Sequence, residues 1–343
     1  MSANILVGVD IGGTKTAIVL STNPPTVLTR SVFATAPELG PGHAVKSIIE
    51  SVRSGLASQH LEAVDVAAIG VSCGGPLNPV LGLIEGPPNL PGWTNVEICS
   101  ILEHEFGVRC FLENDANAGA LAEHLFGTWS GTSNLVFLTM GTGIGAGLIL
   151  NGTLYRGATF SAGEIGHVRL SESGPLGYNK AGSVEGWASG AGMANLAREA
   201  VEAARRTGER TSLTDIAENG HSGRISISAQ DVWYAAQAGD EVALEIVATT
   251  GKKLGQAAAI LVDLFNPELI VVGGLALRMG DAVLEPARAV VKAEALPCAA
   301  KACRILPASL GERIGDVAAL CIALEGRNHG NRRGAGSIEH ACS

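Results

Sequence analysis

Two stretches of the chain repeat one pattern. Near the start, ILVGVD and TAIVL are short apolar runs rich in Ile and Val on either side of the glycine turn IGGTK. From residue 134, NLVFLTM and AGLIL flank GTGIG in the same way. Each reads as a β-hairpin, and the recurrence points to a duplicated architecture. Between the hairpins the apolar spacing predicts an amphipathic helix over 44–59 and a strand over 66–71 leading into the loop 72–76. The stiff loop PPNLPGW, a helix over 96–106, a short strand over 109–112 and a helix over 114–124 follow. A long loop is expected over 152–188. Helices are then predicted over 193–207, 229–238 and 241–266, a strand over 269–272 that runs into Gly273 and Gly274, and a last helix over 316–324. The polar, glycine-rich segment 327–343 is expected to be disordered. Interleaved strands and helices predict α/β domains.

The chain has 343 residues, which is long for one core and suits two. With 46% hydrophobic and 17% charged residues it can bury a packed interior. Its formal charge is -9 and no basic stripe is present, which argues against nucleic acid as a partner. The seven cysteines form no CxxC pair, no basic leader opens the chain, and no apolar run approaches a membrane span. The expectation is a cytoplasmic protein with reduced thiols and no membrane attachment.

The candidate chemistry sits at the turns. In Asp10-Ile11-Gly12-Gly13-Thr14-Lys15, glycines let backbone N–H groups face a phosphate, and Thr14 adds a hydroxyl. Asp10 repels phosphate but can hold Mg²⁺ through water. A plain hairpin with a glycine turn is the alternative reading of the segment. The turn Gly141-Thr142-Gly143 is a second phosphate cradle or a second tight hairpin. Where the 109–112 strand gives way to a helix stand Asn114 and Asp115. An acid there serves either as a helix cap or as a general base. Glu164, His167 and Glu185 fall in the long loop, where they either stabilise it or orient a polyol. Gly273 and Gly274 suit a βα turn, or the close approach of an adenosine.

Taken together, DIGGTK, PNLPGW, ENDANA, GTGIGAG, AGEIGH, GSVEGWASG and VVGG, in that order over about residues 5–325, resemble the ROK family of sugar kinases and repressors. The resemblance implies a two-lobed actin-like ATPase (ribonuclease H-like) fold with a central cleft. The smaller lobe would span 1–118 and a returning helix at about 310–326, the larger lobe 119–309. It implies ATP and Mg²⁺ bound by Asp10, Gly12, Gly13, Thr14, Lys15, Gly141, Thr142 and Gly143, with Gly273 and Gly274 at adenosine. It implies Asp115 as catalytic base, and a sugar held by Gly74, Gly75, Asn114, Asp115, Glu164, His167 and Glu185. A homodimer is expected on the same ground.

One departure stands out. Many family members place three cysteines after the conserved His, and these bind zinc with it. Here Leu176, Tyr178 and Ser183 occupy those positions, so no structural zinc is predicted, and packing and hydrogen bonds must hold the loop. Family repressors carry a DNA-binding module ahead of the core, whereas nine residues precede Asp10. The reading is therefore a kinase acting on a hexose, most simply at O6 of glucose. Fructose, mannose, allose, N-acetylglucosamine or N-acetylmannosamine are alternative acceptors, and a non-catalytic sugar binder is the alternative function.

Overall fold

The computed structural model describes residues 4–218 and 227–333. They form two compact units: one runs to Ser130 and resumes at Glu312, and the other is Gly131–Gly311.

In the first unit the strands are β1 (Ile5–Ile11), β2 (Lys15–Ser21), β3 (Thr29–Ala34), β4 (Val66–Cys73), the two-residue strands β5 (Leu77–Asn78) and β6 (Leu83–Ile84), and β7 (Cys110–Asn114). Five form a sheet in the order β3-β2-β1-β4-β7. The first three are an antiparallel meander, while β4 and β7 run parallel to β1. The sheet is covered on both faces, so β1 reads as a nearly continuous apolar run. Val7, Val9, Ile69 and Val71 pack with Ile48 and Val52 of the helix Pro41–Ser58. Leu6, Val19 and Ala68 pack with Leu320 and Ala323 of the C-terminal helix, Ile314–Arg333. That helix lies directly on strand backbone. A Cβ at Gly70 would stand 2.3 Å from the Ala319 carbonyl oxygen and 2.5 Å from the Ala323 nitrogen.

The second unit repeats the plan. Its strands are β8 (Leu135–Met140), β9 (Ile144–Leu150), β10 (Thr153–Leu154), the small hairpin β11 (Leu176–Gly177) and β12 (Lys180–Ala181), then β13 (Leu269–Val272) and β14 (Arg304–Pro307). The main sheet has the order β10-β9-β8-β13-β14. Again three antiparallel strands are followed by two parallel ones. The duplication suggested by the two glycine hairpins is thus a duplication of whole sheets. The helices Glu241–Phe265 and Asp281–Glu294 meet at Gly251 and Gly255, whose absent side chains make room for the backbone of Val283 and Ala287.

Several expectations need correction. The helix expected to end near 124 runs over Asp115–Phe126 and packs on the C-terminal helix, so the first unit extends past 118 to Ser130. The returning segment begins at Glu312. Its helix continues to Arg333, so residues 327–333 of the segment expected to be disordered are helical, and 334–343 lie outside the described residues. The long loop contains β10, β11, β12 and two short helical turns. Edge strand β3 escapes a pattern search because its residues are largely exposed. The helix Asp281–Glu294 escapes because Pro286 lies within it.

Candidate active site

In the first unit the sheet topology brings the C-terminal ends of β1, β4 and β7 side by side. Register pairs Asp10 with Ser72, Ile11 with Cys73, and Cys73 with Asn114. Asp10 ends the apolar run of β1, half-buried, and Ser72 donates a hydrogen bond to it. Burial, then the negative charge of Asp115 and that of Asp316, push the Asp10 carboxyl up to about 6, against the opposing effects of Ser72 and Lys15. Its carboxylate also touches the first turn of the C-terminal helix: a Cβ at Gly315 would lie 2.4 Å from Oδ2.

The turn after β1 is tied down locally. The Gly12 N–H donates to the Lys15 carbonyl at 3.0 Å, the Thr35 hydroxyl donates to the Gly12 carbonyl at 2.6 Å, and the Thr35 N–H donates to the Thr14 carbonyl at 3.0 Å. Thr14 and Lys15 are exposed. Gly13 sits against Asn89, where a Cβ would be 2.7 Å from the Asn89 backbone oxygen. The side chain of Asn89 also faces Gly74, 3.7 Å from where a Cβ would be. Asn89 therefore joins the first glycine turn to the Gly74–Gly75 loop, a role for PPNLPGW that sequence reading missed.

The alternatives left open at Asn114 and Asp115 separate cleanly. Asn114 is the helix cap: its side-chain oxygen accepts from the N–H groups of Ala116 at 2.9 Å and Asn117 at 3.4 Å. Asp115 is the first helical residue, and its Oδ1 accepts from the Ala116 N–H at 2.8 Å. Its surface is open to solvent, yet dense packing around it raises its pKa, opposed by backbone N–H donors of Ala116 and Asp115 itself. Below it, Glu113 is buried and accepts from the Asn114 N–H and the Asn117 side-chain amide. Gly75 approaches the Asn114 side-chain nitrogen, so Gly74, Gly75, Asn114 and Asp115 form one cluster.

In the second unit the helix Gly190–Thr207 backs the turn after β8. The Gly190 and Ala191 N–H groups donate to the Gly141 and Thr142 carbonyls at 2.8 and 3.1 Å. Glu185 stands in the short helix Val184–Ala188, whose cap is the Ser183 hydroxyl, accepting from the Gly186 N–H at 3.1 Å. The segment holding Glu164 and His167 is clamped to β9. The Ala146 N–H donates to the Gly163 carbonyl at 2.8 Å, and a Cβ at Gly166 would stand 2.4 Å from the Ile144 carbonyl oxygen. Glu164 is exposed and His167 half-buried. The His167 ring meets Tyr178 edge-on, with centroids 4.5 Å apart. The loop does not fit zinc: Leu176 is exposed, Tyr178 covers His167 with a ring, and the Ser183 hydroxyl is engaged.

Gly273 and Gly274 have a reason internal to the fold. Gly274 adopts φ 68°, and a Cβ there would stand 2.2 Å from the Met140 carbonyl oxygen. The following helix, Leu275–Met279, lines a cavity of about 280 Å³ with Gln230, Trp233, Tyr234 and Gln237. Among the described residues no helix is long and apolar enough to cross a membrane.

The family model described as "ROK family" matches residues 6–325. The chain belongs to the ROK family. A glucokinase from Halalkalibacterium halodurans is 32% identical to this ROK chain, over 92% of it and 93% of the relative. The ROK hexokinase of Thermus thermophilus superposes with a TM-score of 0.75 at 31% identity, covering 94% of this chain and 99% of that one. A ROK glucokinase from Streptomyces griseus, solved with glucose and AMPPNP, gives 0.77 at 29% identity, covering 94% and 100%. The doubled sheet of this ROK protein is accordingly the actin-like ATPase fold.

Proposed function

We propose that this ATP-dependent sugar kinase phosphorylates a hexose, glucose first among the candidates, at its primary O6 hydroxyl, with Asp115 as general base. The observation that carries the reading is the division of labour at the β7 terminus: Asn114 takes the capping duty, which leaves an outer face of the Asp115 carboxylate open to solvent. A raised pKa makes that carboxylate a better proton acceptor near neutrality.

In the proposed step the O6–H proton passes to Asp115 while the O6 lone pair forms the new bond to the γ-phosphorus. The bond from that phosphorus to the β,γ-bridging oxygen breaks, and its electrons leave with ADP. The Asn114 side-chain nitrogen and the Gly74–Gly75 backbone would orient neighbouring hydroxyls, with Glu164, His167 and Glu185 as further sugar contacts. Backbone N–H groups of Gly13, Thr14, Thr142 and Gly143 would receive phosphate charge, with Lys15 beside the first turn. The Gly12 and Gly141 N–H groups are engaged within their own turns, by the Lys15 and Gly143 carbonyls, so these two glycines would shape the cradles rather than donate. Asp10 suits indirect contact with Mg²⁺, since a half-buried carboxylate whose ionisation is suppressed by burial and by other acids gains from a nearby cation. When bound, that ion neutralises phosphate charge. The cavity beside Gly273 and Gly274 has aromatic and amide side chains suited to a nucleobase.

A cytoplasmic location is proposed with it, in keeping with the six free cysteines among the described residues, and a homodimer is the assembly we propose. The test of function is ADP release with Mg-ATP against a panel of hexoses and N-acetylhexosamines. One strongly preferred hexose is the expected result. Silence across the panel from folded protein would overturn the reading.

A further inference from the structure

We propose that Tyr178 is a positioning residue for His167, fixing the imidazole by ring contact where a zinc ion fixes it in cysteine-bearing relatives. The inference rests on the sugar-kinase reading, in which His167 touches the acceptor.

The backbone of His167 is held from one side by the clamp to β9, but a clamp on the main chain leaves the ring free to turn about its side-chain torsions. The ring needs a partner of its own. Tyr178 is that partner, at 4.5 Å between centroids and 61° between planes, the edge-to-face arrangement aromatic rings favour. It is delivered by the β11–β12 hairpin, in which Gly177 pairs with Lys180 and the two-residue turn is Tyr178-Asn179.

Three features show that the hairpin is built for this contact. First, both turn residues lie in the left-handed region, Tyr178 at φ 48° and Asn179 at φ 60°. Such turns suit two-residue hairpins, and Asn accepts the conformation readily, but a bulky aromatic residue does not. Second, the residue after the turn reaches the same target: the Lys180 ammonium donates to the His167 carbonyl oxygen at 2.7 Å. Third, the base of the hairpin is locked to the helix carrying Glu185. A Cβ at Gly177 would stand 2.4 Å from the Gly186 nitrogen, and the Ser183 hydroxyl donates to the Gly177 carbonyl at 3.3 Å. The hairpin thus couples the position of the His167 ring to that of the Glu185 backbone. Tyr178 is itself 52% exposed, so its ring adds little to the core and its removal leaves the fold intact.

The experiment is a mutant cycle on the full chain with two readouts. In the absence of sugar, the His167 ring resonances are followed in the native protein, Tyr178→Ala and Tyr178→Phe. Loss of the ring current should move them in the alanine variant and not in the phenylalanine variant. In turnover, Tyr178→Ala should raise the sugar KM roughly threefold to tenfold, the range an aromatic pair supports, with kcat and ATP KM little changed. Tyr178→Phe should restore it. Combining Tyr178→Ala with His167→Ala should add nothing to His167→Ala alone, because the tyrosine acts through the histidine. Additive penalties in a native-like kinase, or a sugar KM indifferent to Tyr178→Ala, would overturn the inference by itself. Absence of sugar turnover in the native chain would sink the reading beneath it, while the resonances still report whether the rings meet.

Discussion

The Glu185 carboxylate lies against Gly143: a Cβ added to that glycine would stand 2.6 Å from Glu185 Oε2. The contact is between the turn proposed for phosphate and an acid that phosphate would repel. On the proposed reading, Glu185 would serve the neutral acceptor rather than ATP. The crowded atom is the end of a flexible side chain, so Gly143→Ala should cost little stability while displacing the carboxylate. The expected result is a melting temperature close to native and a raised sugar KM, read from thermal melts alongside steady-state kinetics.

Asp115→Asn removes the proposed base and retains its shape. Turnover should fall by about 10²–10⁴, the usual worth of general-base catalysis. Sugar affinity, measured by calorimetry, should change little. A variant turning over within a few-fold of native would remove Asp115 from the mechanism.

Asp10 yields a pH prediction with a definite sign. Its folded pKa of about 6 lies above the ordinary 3.8, so between these values the folded state binds more protons than the unfolded one. Stability from this group therefore falls as pH rises through that window and is fully lost above about 6. Activity should run the other way, since the ionised form suits a cation. Asp10→Asn should melt higher than native at pH 7.5, lose that advantage at pH 4, and be severely impaired in turnover. Melts at the two pH values, paired with rates, decide it.

Gly70→Ala should be strongly destabilising, because the new methyl would meet backbone atoms of the C-terminal helix that cannot rotate away. Overpacking of this kind costs about 3 kcal/mol. Denaturant unfolding should show a lowered midpoint. The same change at Gly92, where nothing lies within 4 Å of a Cβ, has no such clash and is limited to the penalty of its φ of 85°.

Metal analysis of purified protein should find no zinc that survives a chelator, and chelation should leave the melting temperature unchanged. One tightly held equivalent per chain would contradict the donor set of Leu176, Tyr178 and Ser183.

Much of this was legible along the chain. The two glycine hairpins are local signals, because alternating apolar runs and turn residues act over a few neighbours, and they announced a doubled fold. The ENDANA stretch was legible as a place for chemistry, and the missing cysteines as a departure. Other features were set by packing between distant segments. Whether Asn114 or Asp115 caps the helix depends on the direction from which β7 enters it. Asn89 meets Gly13 and Gly74 only because the sheet order places β1 beside β4. Gly274, which reads as a turn or ligand glycine, and Gly70, inside a predicted strand, are both required by backbone lying on backbone. The partner of His167 could not be inferred from spacing, because ring contact depends on a hairpin whose conformation is unusual for a tyrosine. Sequence by itself determined the elements and the residue types available for chemistry, since both follow from local pattern. Only the tertiary structure decided which side chains meet, since contact between segments far apart in the chain is a property of how their backbones pack.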